Sequence, residues 1–214
     1  MPHILIIGAS RGIGAGLVRE FAGRGWTVTG TVRREQDRDA VTQAGGTPAL
    51  LDMTDRAAAA QLHAATGMLD ILLVNAGVSE PHDPDPATLG RFFDTNAVAP
   101  VALAHAFLDR ITPAGTLAFM SSRMGSVALN TGGGLPLYRA SKAALNSLTR
   151  SLVAGLTREL RVVTLHPGWV QTDMGGAGAD LDVPTSARSL ADVLTAPRPP
   201  GSVFLDYSGA ELAW

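Results

Sequence analysis

Seven short apolar runs recur along the chain: HILII, TVTGTV, TPALL, LDILLV, GTLAFM, LRVVTL and GSVFL, bounded by Gly, Pro or Asp. Runs this short and this continuously apolar read as strands buried on both faces. Between them lie stretches of helical character over residues 12–24, 35–44, 54–65, 88–110, 137–159 and 184–196. Parallel strands need long crossovers, and those crossovers are usually helices, so the alternation predicts a parallel sheet covered on both sides. The expected fold class is α/β, a doubly wound sheet of about seven strands in a single domain over residues 1–214. No fixed-period repeat and no Pro- or Ser-rich linker divides the chain. Residues 174–183, MGGAGADLDV, are too Gly-rich to be expected to hold one shape unaided.

Composition narrows the partners. With 46% hydrophobic and 17% charged residues, the chain is core-rich and gives no case for disorder. A formal net charge of -2, with no Lys/Arg run, supplies no field to gather nucleic acid or an anionic membrane. A small neutral or anionic ligand is expected instead. The absence of cysteine excludes disulfides, thiolate nucleophiles and Cys-bound zinc. His3, His63, His82, His105 and His166 show no paired helical spacing, so no metal site is expected. The opening MPHILIIGAS has neither the basic leader nor the long apolar run of a signal peptide, and no stretch reaches the roughly 18 apolar residues of a membrane span. The expected location is the cytoplasm.

In a sheet of this kind ligands bind beyond the carboxyl ends of the strands, where the strand order reverses. IIGASRGIGAGL follows the first strand with glycines at 8, 12 and 14, off the strict G-x-G-x-x-G spacing. Gly8 would permit a tight turn, and Gly12 with Gly14 would let backbone N–H groups and a helix N-terminus approach a pyrophosphate. Alone, the stretch reads equally as a Gly-rich turn that opens a helix. The second strand ends GTVRRE. Where a free ribose 2′-hydroxyl is usually met by an acid about 20 residues on, Arg33 and Arg34 stand. A guanidinium grips a 2′-phosphate bidentately, so NADP(H) is expected over NAD(H), with Arg11 joining the clamp. The competing reading is two solvated arginines opening a helix.

Further motifs follow in order: LLDMTD after the third strand, LVNAG after the fourth, TNAVAP in the next helix, MSS after the fifth strand, YRASK opening a helix, and HPGWVQTDM after the sixth strand. Together with GASRGIG they resemble the short-chain dehydrogenase/reductase family over almost the whole chain. HPGWVQTDMGG and FLDYSGAELAW are most similar to its small C-factor-like branch. The resemblance implies a Rossmann-type fold and a Ser-Tyr-Lys site. Tyr138 is then the general acid that protonates a carbonyl oxygen. Lys142 favours the phenolate and binds the nicotinamide ribose, and Ser122 holds the substrate oxygen.

Some of this chemistry can be weighed in the residues themselves. A free tyrosine has a pKa near 10, far from neutral pH. Lys142 lies four positions on, on the same helix face. Lowering the phenol by three pH units takes roughly 4 kcal/mol, more than one exposed neighbour gives. The positive nicotinamide ring and partial burial are expected to supply the rest. Ser122 is preferred to Ser121 because the family's serine precedes a short segment ending in glycine, here Gly125. Sixteen residues separate Ser122 from Tyr138, a few more than usual for the family, and NTGGGLP is expected to bulge beside the substrate mouth. Pro100 has no N–H, so within a helix the carbonyl of Asn96, four residues back, is left free to hold a water. In the family the equivalent asparagine anchors a water that joins the lysine to solvent.

The cofactor contacts implied are Gly8, Ser10, Arg11, Gly12, Ile13 and Gly14 in the first loop and Arg33 and Arg34 after the second strand. Asp52, with the Met53 backbone beside it, meets the adenine amino group. Asn75, Ala76 and Gly77 follow the fourth strand, and Tyr138 and Lys142 meet the ribose. Pro167 and Gly168 line the next turn, where the Val170 backbone and the Thr172 side chain hold the carboxamide.

Each of these features has an ordinary counterpart. A Tyr/Lys pair at i, i+4 is commonly helix surface, a lone Ser a cap, NAG a turn, and Pro-Gly a strand end. Trp169, His82 and His105 read as packing or surface residues. The reaction favoured by the ordered set is reduction of a ketone or aldehyde by NADP(H), with residues 174–183 closing over the substrate. Two alternatives stand beside it: a nucleotide-binding signalling or sensor protein of the same fold, and an NAD-dependent alcohol oxidiser. Ala140, Ala143 and Ala144 beside Leu145, Leu148 and Leu152 suit close helix packing, either across the interface of a homodimer or homotetramer or within the core.

Overall fold

A computed structural model describes residues 1–214. The strands are β1 (His3–Ile7), β2 (Thr27–Val32), β3 (Thr47–Leu50), β4 (Leu69–Val74), β5 (Ile111–Met120), β6 (Arg161–His166) and β7 (Gly201–Asp206). The helices between them are α1 (Gly12–Gly23), α2 (Arg38–Gln43), α3 (Arg56–Ala65), α4 (Pro86–Phe93), α5 (Ala99–Ala106), α6 (Pro136–Ala154) and α7 (Val183–Thr195). All seven strands form one parallel sheet in the order β3-β2-β1-β4-β5-β6-β7. The doubly wound α/β fold expected from the alternation is the fold found.

Strand side chains alternate between two apolar layers, which is why the runs read as continuously apolar. Ile4 and Ile6 of β1, with Ile71 and Leu73 of β4, pack under Leu17, Val18 and Phe21 of α1 and Leu190 and Leu194 of α7. Leu5, Ile7, Leu72 and Val74 point to the other layer, against Leu103 of α5 and Leu145 of α6. A Cβ on Gly16 would lie 2.6 Å from Val183 and 3.2 Å from Ala187, so α1 and α7 approach closely at that glycine.

The helical stretch expected over 88–110 is not one helix. α4 gives way to a π-helical turn at Asp94–Val98, then α5, then a 3₁₀ turn at Leu108–Arg110. Pro100, in the first turn of α5, offers no N–H, and the backbone changes register just before it. The stretch 35–44 likewise divides into a 3₁₀ turn at Glu35–Asp37 and α2. α6 stops at Ala154, short of 159. No helix is long and apolar enough to cross a membrane.

Candidate active site

The strand order reverses between β1 and β4, and the loops leaving these two strands touch. Gly8 follows β1 with φ 89°, and a Cβ there would lie 2.7 Å from Ala76. Its N–H donates to Thr31 Oγ1 at 2.9 Å, and Asn75 Nδ2 donates to its carbonyl at 2.7 Å. A side chain at Gly14 would collide with the Gly8 carbonyl and with Asn75. α1 starts at Gly12, with φ 54°. Its cap residue Arg11 offers no side-chain acceptor, and no acid stands in the first turn. The first amides of α1 are therefore open to an anion, and only glycines leave room for it to approach. Ile13 packs its side chain against the core, and Ser10 is half-buried in the loop.

The arginines expected to read a 2′-phosphate gather at this end of the sheet, but two of them are engaged. Arg34 forks onto Asp37 through Nε at 2.8 Å and an η nitrogen at 3.0 Å. Arg11 pairs with Asp173 at 2.7 Å, both groups about three-quarters exposed. Arg33 is exposed between Asp37 and Asp52 and helps to hold both carboxyls below the usual range. Asp37 is lowered first by the Arg34 hydrogen bonds, and the charges of Arg34, Arg11 and Arg33 add to it. Asp52 accepts the Thr54 N–H at 3.0 Å and the Thr54 hydroxyl at 2.7 Å through a single oxygen. The Met53 side chain belongs to the core.

Ser122, Tyr138 and Lys142 meet at the ends of β5 and α6. The two adjacent serines diverge: Ser121 turns inward to Asn146 at 2.6 Å, while Ser122 accepts the Met124 N–H at 3.1 Å and lies against the Tyr138 phenol. The turn Arg123–Gly125 presses on α6 so closely that a Cβ on Gly125 would sit 2.8 Å from the Lys142 backbone. Lys142 is 3% exposed. Its Nζ donates to the Met120 carbonyl at 3.0 Å and lies 5.8 Å from the centre of the Tyr138 ring. Burial pushes its pKa down to about 8. Burial pushes Tyr138 up to about 12, and the Ser122 hydroxyl offsets only part of that. This corrects the sign of one expectation: partial burial opposes the phenolate instead of assisting it.

Asn96 is fully buried in the π-helical turn, and its side chain is committed to the loop after β4. Oδ1 accepts the Val78 N–H at 2.8 Å, and Nδ2 donates to the Val78 carbonyl at 2.9 Å and to Ser141 Oγ at 3.2 Å. Gly77 separates this group from the lysine: a Cβ there would lie 3.3 Å from Asn96 Oδ1 and 3.4 Å from Lys142 Nζ.

The segment after β6 crosses the cleft. Gly168 has φ 85°, where a side chain would also collide with Leu181. Pro167 is tied through its carbonyl to Ser186 Oγ at 2.8 Å. Val170 bridges to Leu181, and a Cβ on Gly12 would lie 3.3 Å from the Thr172 side chain. Residues 174–183, expected to be shapeless alone, are held from outside. Trp169 Nε1 donates to the Gly175 carbonyl at 2.8 Å and Gln171 Nε2 to the Ala179 carbonyl at 3.0 Å, while Asp173, just before the segment, pairs with Arg11. Trp169 is thus exposed yet structural.

Two nearby residues escaped sequence reasoning. Glu80, after the NAG turn, accepts the Tyr138 N–H at 2.7 Å. His166, at the end of β6, is kept neutral by burial, which lowers its pKa to about 4. Neither has a local spacing that betrays it. On α6, Leu145 is core, and Ala144, Leu148 and Leu152 pack against the same cluster, so most of the small-and-leucine stripe faces inward.

Residues 2–180 match the family model described as short chain dehydrogenase. Among curated proteins, the C-signal of Myxococcus xanthus is 45% identical over 157 residues, spanning 70% of this chain and 95% of that protein. Among solved structures, a carbonyl reductase from Pseudomonas aeruginosa PAO1 in complex with NADP superposes with TM-score 0.90 at 38% identity, covering 100% of both chains. A Burkholderia multivorans protein crystallised with bound NADP gives TM-score 0.94 at 36% identity, covering 100% of this chain and 99% of that one.

Proposed function

This chain belongs to the short-chain dehydrogenase family, and from that premise we propose that it is an NADP(H)-dependent oxidoreductase that reduces a ketone or aldehyde to the alcohol. When bound in the glycine cradle, the nicotinamide cofactor supplies the hydride. The observation that carries the reading is the convergence of the Ser122 hydroxyl, the Tyr138 phenol and the buried Lys142 amine beside that cradle.

Tyr138 donates its proton to the substrate oxygen while Ser122 holds the same oxygen. A phenol pushed up to about 12 keeps its proton at neutral pH but parts with it reluctantly. Lys142, mostly charged at pH 7 with a pKa of about 8, is the cation that eases the loss. Asn96 fixes Val78 and so the wall of the pocket next to Lys142.

The cofactor fits the residues present. The uncapped start of α1 and the side-chain-free approach at Gly8, Gly12 and Gly14 suit a pyrophosphate. Arg33, with Arg34 and Arg11 beside it, suits a 2′-phosphate. Asp52 meets the adenine, while the Val170 backbone and Thr172 meet the carboxamide. The NADP-bound relatives support the same choice. A cytoplasmic, single-domain protein that assembles as a homodimer or homotetramer completes the reading, and light scattering on the purified protein tests the assembly.

The experiment is NADPH oxidation across a panel of ketones and aldehydes with wild type and Tyr138→Phe. Turnover by wild type, and its loss in a variant that still binds NADPH, is the expected result; equal activity in the variant would refute the assignment.

Two observations favour other readings. The 45% identity to C-signal suits a signalling or sensor protein, which would bind NADPH tightly and turn over no carbonyl. The engagement of Arg34 and Arg11 by carboxylates suits NAD(H) and alcohol oxidation. Comparing NADPH and NADH binding in wild type and Arg33→Ala decides the latter, because a preference for NADPH that survives Arg33→Ala would remove the argument from β2.

A further inference from the structure

α6 begins without a cap of its own. Its flanking residue Leu135 is left-handed, at φ 57°, and has no acceptor, while Pro136 in the first turn has no N–H to offer. The Tyr138 amide is the kind of donor that a Ser or Asp one residue before the helix would normally satisfy. Its acceptor comes from 58 residues earlier: Glu80 Oε2, at 2.7 Å, on the loop that leaves β4. A carboxylate accepting from the first turn of a helix makes a charge-assisted bond at the positive end of the helix dipole.

The same loop also reaches the other end of that residue's backbone. The Tyr138 carbonyl accepts from Ser141 Oγ at 2.8 Å, Ser141 Oγ accepts from Asn96 Nδ2 at 3.2 Å, and Asn96 is bonded twice to Val78. The Tyr138 amide is thus tied directly to Glu80, and its carbonyl is tied to nearby Val78 only through the relay of Ser141 and Asn96. The neighbours of Tyr138 have anchors of their own, Lys142 on Met120 and Ser122 on Met124.

We infer that Glu80 is a positioning residue for the proton donor, holding the Tyr138 backbone so that its phenol stays in register with Ser122 and Lys142. The inference rests on the reading of Tyr138 as that donor. Losing the Glu80 acceptor frees the start of α6 while leaving the cofactor cradle and Lys142 in place. The signature is therefore a fall in kcat with unchanged NADPH binding.

The test compares wild type, Glu80→Met, which keeps the bulk but no oxygen, and Glu80→Gln, which keeps an acceptor. In Glu80→Met, kcat is expected to fall about tenfold to a hundredfold, the range that small misplacements of reacting groups produce. Amide exchange at Tyr138 should quicken about fivefold, the scale of a lost cap. NADPH affinity stays near wild type, and the melting temperature falls by no more than the about 2–4 °C that one lost cap is worth in a chain of this size. Glu80→Gln should recover most of both properties. Two outcomes overturn the inference: Glu80→Met with wild-type kcat, or Glu80→Gln as impaired as Glu80→Met. If wild type reduces no carbonyl, the proposed function fails by that result alone. Exchange at Tyr138 then still decides whether Glu80 holds the helix start, and unchanged exchange in Glu80→Met sinks the inference.

Discussion

Replacing Lys142 with Met is expected to abolish carbonyl reduction and yet stabilise the fold. Lys142 is 3% exposed, and its amine donates a hydrogen bond to the Met120 carbonyl at 3.0 Å. Burial lowers its pKa from the ordinary 10.5 to about 8. At about 1.4 kcal/mol per pH unit, that distance means the charged amine weakens the folded chain by roughly 3 kcal/mol at pH 7. Methionine keeps most of the stem and loses the bond to Met120, which costs about 1 kcal/mol. The balance favours the variant by about 2 kcal/mol at pH 7, or about 4–8 °C in Tm for a chain of this size.

The dependence on pH has a definite sign. Between about pH 8 and 10.5 the unfolded lysine keeps a proton that the folded one has released, so wild-type stability rises with pH across that window. The Met variant lacks this rise, and its advantage shrinks as the window is crossed. Tyr138 acts in the opposite direction, but only above about pH 10, where its raised pKa makes stability fall. Urea unfolding of both proteins without cofactor, at pH 7, 8.5 and 9.5, isolates the lysine. A variant less stable than wild type at pH 7, or an advantage that does not change with pH, refutes the reasoning.

Two further perturbations probe the surroundings. Gly125→Ala puts a methyl 2.8 Å from the Lys142 backbone, and neither side can yield by rotating a side chain. Denaturant unfolding should show a loss of about 1–3 kcal/mol, and kcat should fall as Ser122 is pushed from Tyr138. Asp37→Asn releases Arg34 from its forked pair. NADPH affinity measured by fluorescence titration at low salt should tighten about two- to fivefold, the worth of an exposed pair, and weakened binding would mean that Asp37 instead holds Arg34 ready.

The sheet and its helices were legible because continuous apolar runs leave few alternatives to strands buried on both faces. The break in the stretch 88–110 was half legible: Pro100 marks the disturbance, but whether the backbone answers with a kink or a wider turn depends on what surrounds Asn96. The form of residues 174–183 was not legible, because it is held by the side chains of Trp169 and Gln171 in the preceding turn, which bond to the carbonyls of Gly175 and Ala179. Glu80 was invisible for a similar reason, since no local spacing links it to a helix 58 residues on. The placement of Ser122 just after β5 and of Tyr138 and Lys142 in the first two turns of α6 could be read from the order of the motifs. Their ionisation could not, because it depends on how deeply the packed neighbours bury each group.

The contact at Gly16 also has a bearing on biosynthesis. The first helix, whose N-terminus forms the glycine cradle, is backed by Val183 and Ala187 of the last one. A ribosome making this chain releases the glycine loop long before it releases the residues that brace it. The close approach of α1 to α7 at Gly16 is therefore completed only once Val183 and Ala187 have emerged, and a product stalled before them leaves α1 without its brace.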